Sequence, residues 1–257
     1  MSARLSGGDF DPNAVRTRFP SGALQDVAMN EILNRPDASA AVADLGWRYL
    51  LGTLQTAVAV DALGAGAQVL ARALAACGAD ADAHLRADLR PDRVVLTLQS
   101  ADRAAVTTRD VDLADRITQA VEEGGWRTEP GIGGDAPRSA QLIEIAIDTL
   151  DIAAIRPFWR AVLGYTDEPG RSGPTDPIVD PLRASPAVWF QQMDRPRPQR
   201  NRIHFDVSVP HDEAPRRIEA ALAAGGRLVS SDHAPAFWVL ADVEGNEACV
   251  TTWQGRD

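Results

Sequence analysis

The alternation of apolar and polar residues divides the chain into two halves, each of strands and helices. In the first half, Trp47 to Val60 reads as extended structure. Leu63, Ala67, Leu70 and Leu74 then recur at helical spacing and predict a helix over about 62–77. Gly64 and Gly66 weaken its start or let another backbone come close. Val94, Leu96 and Leu98 alternate with Val95, Thr97 and Gln99, the pattern of a strand with one buried face. Thr107 with Asp110 forms a capping-box pattern, and the helix it opens buries Leu113, Ile117 and Val121. Residues 1–35 are polar and broken by Pro12 and Pro20, with Pro36 just beyond. They read as an arm with one short helix at 22–34.

The second half begins with a strand in which Ile143, Ile145 and Ile147 face one side. Leu142, Glu144, Ala146 and Asp148 face the other, so Glu144 is a carboxylate within a strand, opposite three isoleucines. A helix follows that buries Ile152, Ile155, Trp159, Val162 and Leu163 and stops at Gly164. Pro157 conflicts with that pattern, which predicts a loose turn over 151–155 and a regular helix from near Arg156. Residues 166–186 hold five prolines and two glycines and predict a loop with at most one short strand. Further strands are expected at 186–192, 203–209, 237–241 and 247–253, with a helix over 212–224. Asp242-Val-Glu-Gly-Asn246 is a turn, and Arg195–Arg202 a stiff basic connector.

Residues 129–138 contain three glycines and two prolines, which sustain neither helix nor strand. They mark a linker between a domain at 36–128 and one at 139–257, each long enough for its own core. The fold class is α+β in both: a small antiparallel sheet with helices first, then two β-α-β units with extra strands.

Composition narrows the function. The chain has 257 residues, 45% of them hydrophobic and 24% charged, as in a globular protein. No apolar run reaches the roughly 18–20 residues of a membrane span. The first residues lack the apolar core of a secretion signal, so a cytoplasmic protein is expected. Cys77 and Cys249 read as free, small, buried thiols. All 26 basic residues are arginine, which excludes a Schiff-base lysine and a P-loop lysine. The net charge of −10 opposes nonspecific nucleic-acid binding. With four histidines in all (His84, His204, His211, His233), a three-histidine metal site would need nearly every one.

Gln141–Asp148 with Asp151–Gly164, then Asn201-Arg-Ile-His-Phe-Asp206, then Asp242–Glu247, resemble in that order the vicinal oxygen chelate superfamily of glyoxalases, extradiol dioxygenases and bleomycin-resistance proteins. The resemblance covers about 139–254 and implies a paired βαβββ domain whose cupped sheet holds a metal or small molecule. Its four ligand positions fall on Glu144, Gln191 (or Gln192), His204 and Cys249. Only His204 keeps the usual residue type; a Glu/Gln/His/Cys set is unusual for zinc or iron. No cofactor is therefore expected with certainty, and a divalent metal on Glu144 and His204 is the minor alternative. On a concave face Glu144 becomes base or ligand anchor with His204 as its partner, its pKa rising if it is desolvated. Trp189 and Trp238, with Gln191 and Cys249, would line the ligand, although core and rim is the plainer reading of the tryptophans.

The first half resembles the pterin-4a-carbinolamine dehydratases through Asp82-Ala-His-Leu, Arg93–Ser100 and Thr107–Ala114. That family uses a His-His-Pro run and a third histidine, residues able to give and take protons near neutrality. Here the run is Ala83-His84-Leu85, the third position is Ala101 or Asp102, and Asp110 matches the family's aspartate. With two of three histidines absent, dehydration should be lost or very weak, leaving His84 and Asp110 a vestigial site and the domain a dimerisation module or a modified ligand site. The plain alternative is that His84 closes a surface turn. The leading function is binding, with or without glyoxalase-type isomerase or lyase conversion, of a small organic molecule in the second domain by a homodimer. Ligand sequestration of the resistance type and residual pterin dehydration are the other two.

Overall fold

The computed structural model describes residues 30–132, 138–196 and 203–255. The arm and most of the helix expected at 22–34 lie outside them, as do residues 197–202 of the basic connector and the Asn201-Arg202 start of the second motif.

Helix α1 (Arg35–Ala41) is capped by Asn34, whose side chain accepts from Asp37 N–H. The expected extended stretch is a hairpin, β1 (Arg48–Leu50) and β2 (Thr53–Ala59), turning at Leu51-Gly52, both with positive φ. Helix α2 (Leu63–Cys77) leads through a short α3 (Ala81–His84) into β3 (Leu85–Arg90) and β4 (Arg93–Leu98). Strand β3 was not expected. It completes an antiparallel sheet of order β1-β2-β4-β3, which α2 and α4 (Thr108–Glu123) cover. Leu113, Ile117 and Val121 are buried on α4, as their spacing predicts.

Helix α2 buries Gly66, Val69, Ala73 and Cys77, and leaves Leu63 and Leu74 exposed. The stripe of small residues lets the helix come close. A Cβ on Gly66 would lie 2.3 Å from Leu89 Cδ1, contact that leucine side chains on that face would forbid. Burial also pushes the Cys77 thiol up to about 11, as expected of an inert packing residue. The glycine- and proline-rich linker carries more structure than its composition predicts. Gly131–Ile132 (β5) pairs with Arg138–Ser139 (β6), and Glu129 exchanges two backbone bonds with Ala57 of β2 (2.9 and 2.8 Å).

The second half is two copies of one pattern. Strand β7 (Glu144–Thr149), helix α5 (Ile152–Leu163), β8 (Thr166–Asp167), β9 (Ile178–Val179) and β10 (Ala187–Gln192) form a sheet of order β7-β10-β9-β8. Strand β11 (Asp206–Ser208), helix α6 (Ala214–Ala223), β12 (Arg227–Ser230), β13 (Phe237–Ala241) and β14 (Glu247–Thr251) repeat it as β11-β14-β13-β12. In each copy the first strand runs parallel to the last and the others are antiparallel. This is the expected paired βαβββ order. The 166–186 loop holds two short strands rather than one, and β12 was not foreseen. Strand β11 is shorter than expected, and Ile203 is 71% exposed.

Helix α5 is regular from Ile152, and Pro157 lies inside it rather than in its first turn. Two carboxylates hold the start of this helix. Asp151 caps Ala154 N–H (3.2 Å), and Glu244 of the second copy accepts from Leu150 and Asp151 N–H (2.9 and 2.8 Å) and from Thr149 hydroxyl (2.7 Å). Burial alone would raise the pKa of Glu244, but these donors outweigh it and hold the carboxyl below its usual range. Asp242 of the same turn accepts from the buried Trp159 Nε1 (3.0 Å), so the two copies interlock. Their shared core includes Ile155, Phe158, Trp159, Val188, Leu240 and Val250.

Candidate functional site

A polar cluster in the first half is built around a buried carboxylate. His84 ends α3, and its Nδ1 lies 2.8 Å from Asp110 Oδ1 at the start of α4. Asp110 is fully buried. Its Oδ2 accepts from Thr107 N–H (2.7 Å), Thr107 hydroxyl (2.8 Å) and Ser100 hydroxyl (3.0 Å). A carboxylate satisfied by that many donors acts as an acceptor, so Nδ1 of His84 carries the proton and Nε2 is the ring nitrogen left for a ligand. The His84 side chain is 10% exposed, which is not the environment of a residue that only closes a surface turn. Thr107 and Asp110 form the capping box that the sequence predicts, so one carboxylate both starts the helix and orients the histidine.

His84 borders a cavity of about 370 Å³ between the two halves. Asp82, Ala83, Arg86, Gln99 and Ala101 line it from the first half, and Thr166, Asp167, Pro169, Val179, Pro181 and Arg183 from the second. Ala83 is one position where the dehydratase resemblance places histidine, and Ala101, or its neighbour Asp102, is the other. A neighbouring cavity of about 390 Å³ shares Arg86, Gln99, Val179 and Arg183, and is also lined by Thr97 and Glu144. Thr97, on the second face of β4, and Gln99, just past its end, are buried although only one covered face is expected there.

The residues expected to form a site in the second half are spread out. Glu144 is exposed, without the burial that would make it a base, and faces the cavity between the halves. That cavity is not lined by Gln191, His204 or Cys249. Glu144 pairs with Ala187 on β10, whereas Gln191 pairs with Asp148. Four residues separate these points, roughly 13 Å along a strand. His204 is exposed and precedes β11; Cys249 is half-buried and pairs with Asp206. Trp189 is 37% exposed on the same sheet face as Glu144, while Trp238 packs against the core.

A family model, described as a glyoxalase-like domain, matches residues 144–251. These residues are a glyoxalase-like domain. No curated protein matches the chain. Among solved structures, a glyoxalase/bleomycin resistance protein/dioxygenase family enzyme from Burkholderia phytofirmans is 19% identical, with a TM-score of 0.35, over 44% of this chain and 98% of that one. The fosfomycin resistance protein FosX from Mesorhizobium loti is 10% identical, with a TM-score of 0.34, over 44% and 92%. A glyoxylase/bleomycin resistance protein/dioxygenase domain from Frankia sp. is 16% identical, with a TM-score of 0.33, over 45% and 93%.

Among the described residues, no three His, Cys, Asp or Glu side chains are grouped to hold an ion. The residues that the resemblance puts at ligand positions, Glu144, Gln191 (or Gln192), His204 and Cys249, mix a carboxylate, an amide, an imidazole and a thiol, a set unusual for zinc or iron. No helix among the described residues is long and apolar enough to cross a membrane. Ser100, Arg86, Gln99 and Arg183 are not marked as site residues by the sequence motifs. Arg86 carried a usable signal, standing two residues beyond His84; Arg183 carried none.

Proposed function

We propose that the protein binds a small organic molecule of carbinolamine type in the cavity between its halves, and that His84 transfers a proton on it. The observation that carries this reading is the 2.8 Å contact between His84 Nδ1 and a fully buried Asp110, beside a cavity of about 370 Å³. A buried carboxylate on Nδ1 fixes ring orientation and tautomer, as proton transfer at Nε2 requires. The volume is within the range of small-molecule sites. His84 Nε2 would accept the substrate N–H proton and return it to the departing hydroxyl. The C–O bond breaks, a C=N bond forms and water leaves. With alanine at 83 and 101, one histidine serves both transfers, so turnover should be slow. The glyoxalase-like domain contributes the other wall of the cavity.

The test is dehydration of a tetrahydropterin 4a-carbinolamine by the full chain. Slow acceleration over the uncatalysed reaction is expected, lost in His84→Ala and kept in Glu144→Gln. No acceleration, or turnover unchanged in His84→Ala, overturns the reading.

A second reading is ligand binding without conversion on the open sheet of the glyoxalase-like domain. It is favoured by Trp189, a large aromatic left 37% exposed on that face. Quenching of tryptophan fluorescence by a bound ligand, abolished in Trp189→Ala but not in His84→Ala, would support it over the first.

A further inference from the structure

We propose that Arg86 and Arg183 form a composite anion site across the junction of the two halves, taking the carboxylate or phosphate group of the molecule bound beside His84. This deepens the reading above and rests on it for the identity of the reacting group, but its own evidence is separate. Arg86 stands on β3 two residues after His84, and Arg183 comes from the 180–185 loop of the glyoxalase-like domain. Both line the His84 cavity and the one beside it.

The loop is built to present Arg183. Asp180 accepts from Leu182, Ala184 and Ser185 N–H (2.9, 3.0 and 2.9 Å), and its carbonyl accepts from Arg183 N–H (2.9 Å). Arg183 itself has φ +54°, a conformation unfavourable for a residue with a side chain and often found where function fixes the backbone. Arg86 is half-buried, and its side-chain partner is neutral: Nη1 donates to Gln99 Oε1 at 3.4 Å. Burial, and then the nearby charge of Arg183, pull its pKa down.

Among the described residues, Arg86 makes no contact with a carboxylate that is close enough for an ion pair, and Arg183 makes one. Glu168 reaches Arg183 only at 3.8 Å and is shared with Arg171 at 3.6 Å. Asp180 is engaged by backbone amides, and Asp167 by Arg156 and Arg160 at 2.6 and 3.2 Å. Asp82 and Glu144, the remaining carboxylates on the cavity walls, are exposed. Two like charges converging in a partly desolvated cleft are unfavourable until an anion joins them. Guanidinium groups suit planar oxyanions in particular.

The test is isothermal titration of the full chain, at constant ionic strength, with inorganic phosphate and separately with sodium acetate. Saturable binding of at least one is expected, weakened roughly tenfold or more in Arg86→Gln and in Arg183→Gln, and retained in His84→Ala. Arg86→Lys keeps the charge and should keep part of the affinity, which separates charge loss from misfolding. Phosphate alone binding points to a phosphorylated molecule, and acetate alone to a carboxylic acid. Binding of neither, or binding unchanged in both glutamine variants, overturns the proposal. Anion binding that follows the arginines while carbinolamine turnover is absent would leave this site standing and remove the proton-transfer reading instead.

Discussion

His84 Nδ1 and Asp110 Oδ1 lie 2.8 Å apart, and that carboxylate also closes the capping box of helix α4. Helix start and site orientation therefore depend on one residue. Asp110→Ala should lower unfolding free energy by about 2–4 kcal/mol, because buried donors on Thr107 and Ser100 lose their acceptor. Denaturant titration measures this. A loss below about 0.5 kcal/mol would mean that the buried network contributes little.

Acid should loosen the glyoxalase-like domain through Glu244. Its folded pKa is depressed by the Leu150, Thr149 and Asp151 donors. A depressed carboxylate stabilises the fold above its unfolded pKa of about 4.3, and that contribution disappears as pH falls through the lower folded value. Stability measured between pH 6 and pH 3 should therefore fall less steeply in Glu244→Gln than in the wild type. Equal slopes would contradict the role given to Glu244.

The two faces of α2 should respond differently to truncation. Val69 is fully buried and Leu74 is 45% exposed. Val69→Ala should cost about 1–3 kcal/mol and Leu74→Ala less than about 1. Chemical denaturation of both variants checks the assignment, and the reverse order would restore the leucine stripe as the core face.

Gly226 allows Phe158 to close over the end of α6. A Cβ there would lie 2.4 Å from Phe158 Cδ2 and 2.8 Å from Ala221 O. Gly226→Ala should destabilise by about 1–3 kcal/mol through overpacking, read as a lowered Tm. An unchanged Tm would show that the ring has room to move.

Much of this fold could be read in the sequence because its signals are local. The Thr107–Asp110 box, the Leu113–Ile117–Val121 stripe, the Leu163-Gly164 stop and the 242–246 turn each depend on neighbouring residues, and each is present in the structure. What was misread depends on distant partners. The helix that holds Pro157 starts at residues anchored by Glu244, far along the chain. The small-residue face of α2 is chosen because Leu89 and Val94 approach Gly66. The candidate site followed the same rule. His84 and Asp110 were legible as a pair by resemblance, but the cavity they face is made by two halves, and no single-strand pattern shows Arg183 opposite Arg86.

Held by Asp110, His84 should carry its proton on Nδ1 and leave Nε2 free for a ligand. Long-range ¹H–¹⁵N correlation of the histidine rings in the labelled full chain tests it directly. One ring, absent in His84→Ala, should show a protonated Nδ1 and an unprotonated Nε2, and should lose that pattern in Asp110→Asn. A His84 ring protonated on Nε2, or unchanged by Asp110→Asn, would contradict it.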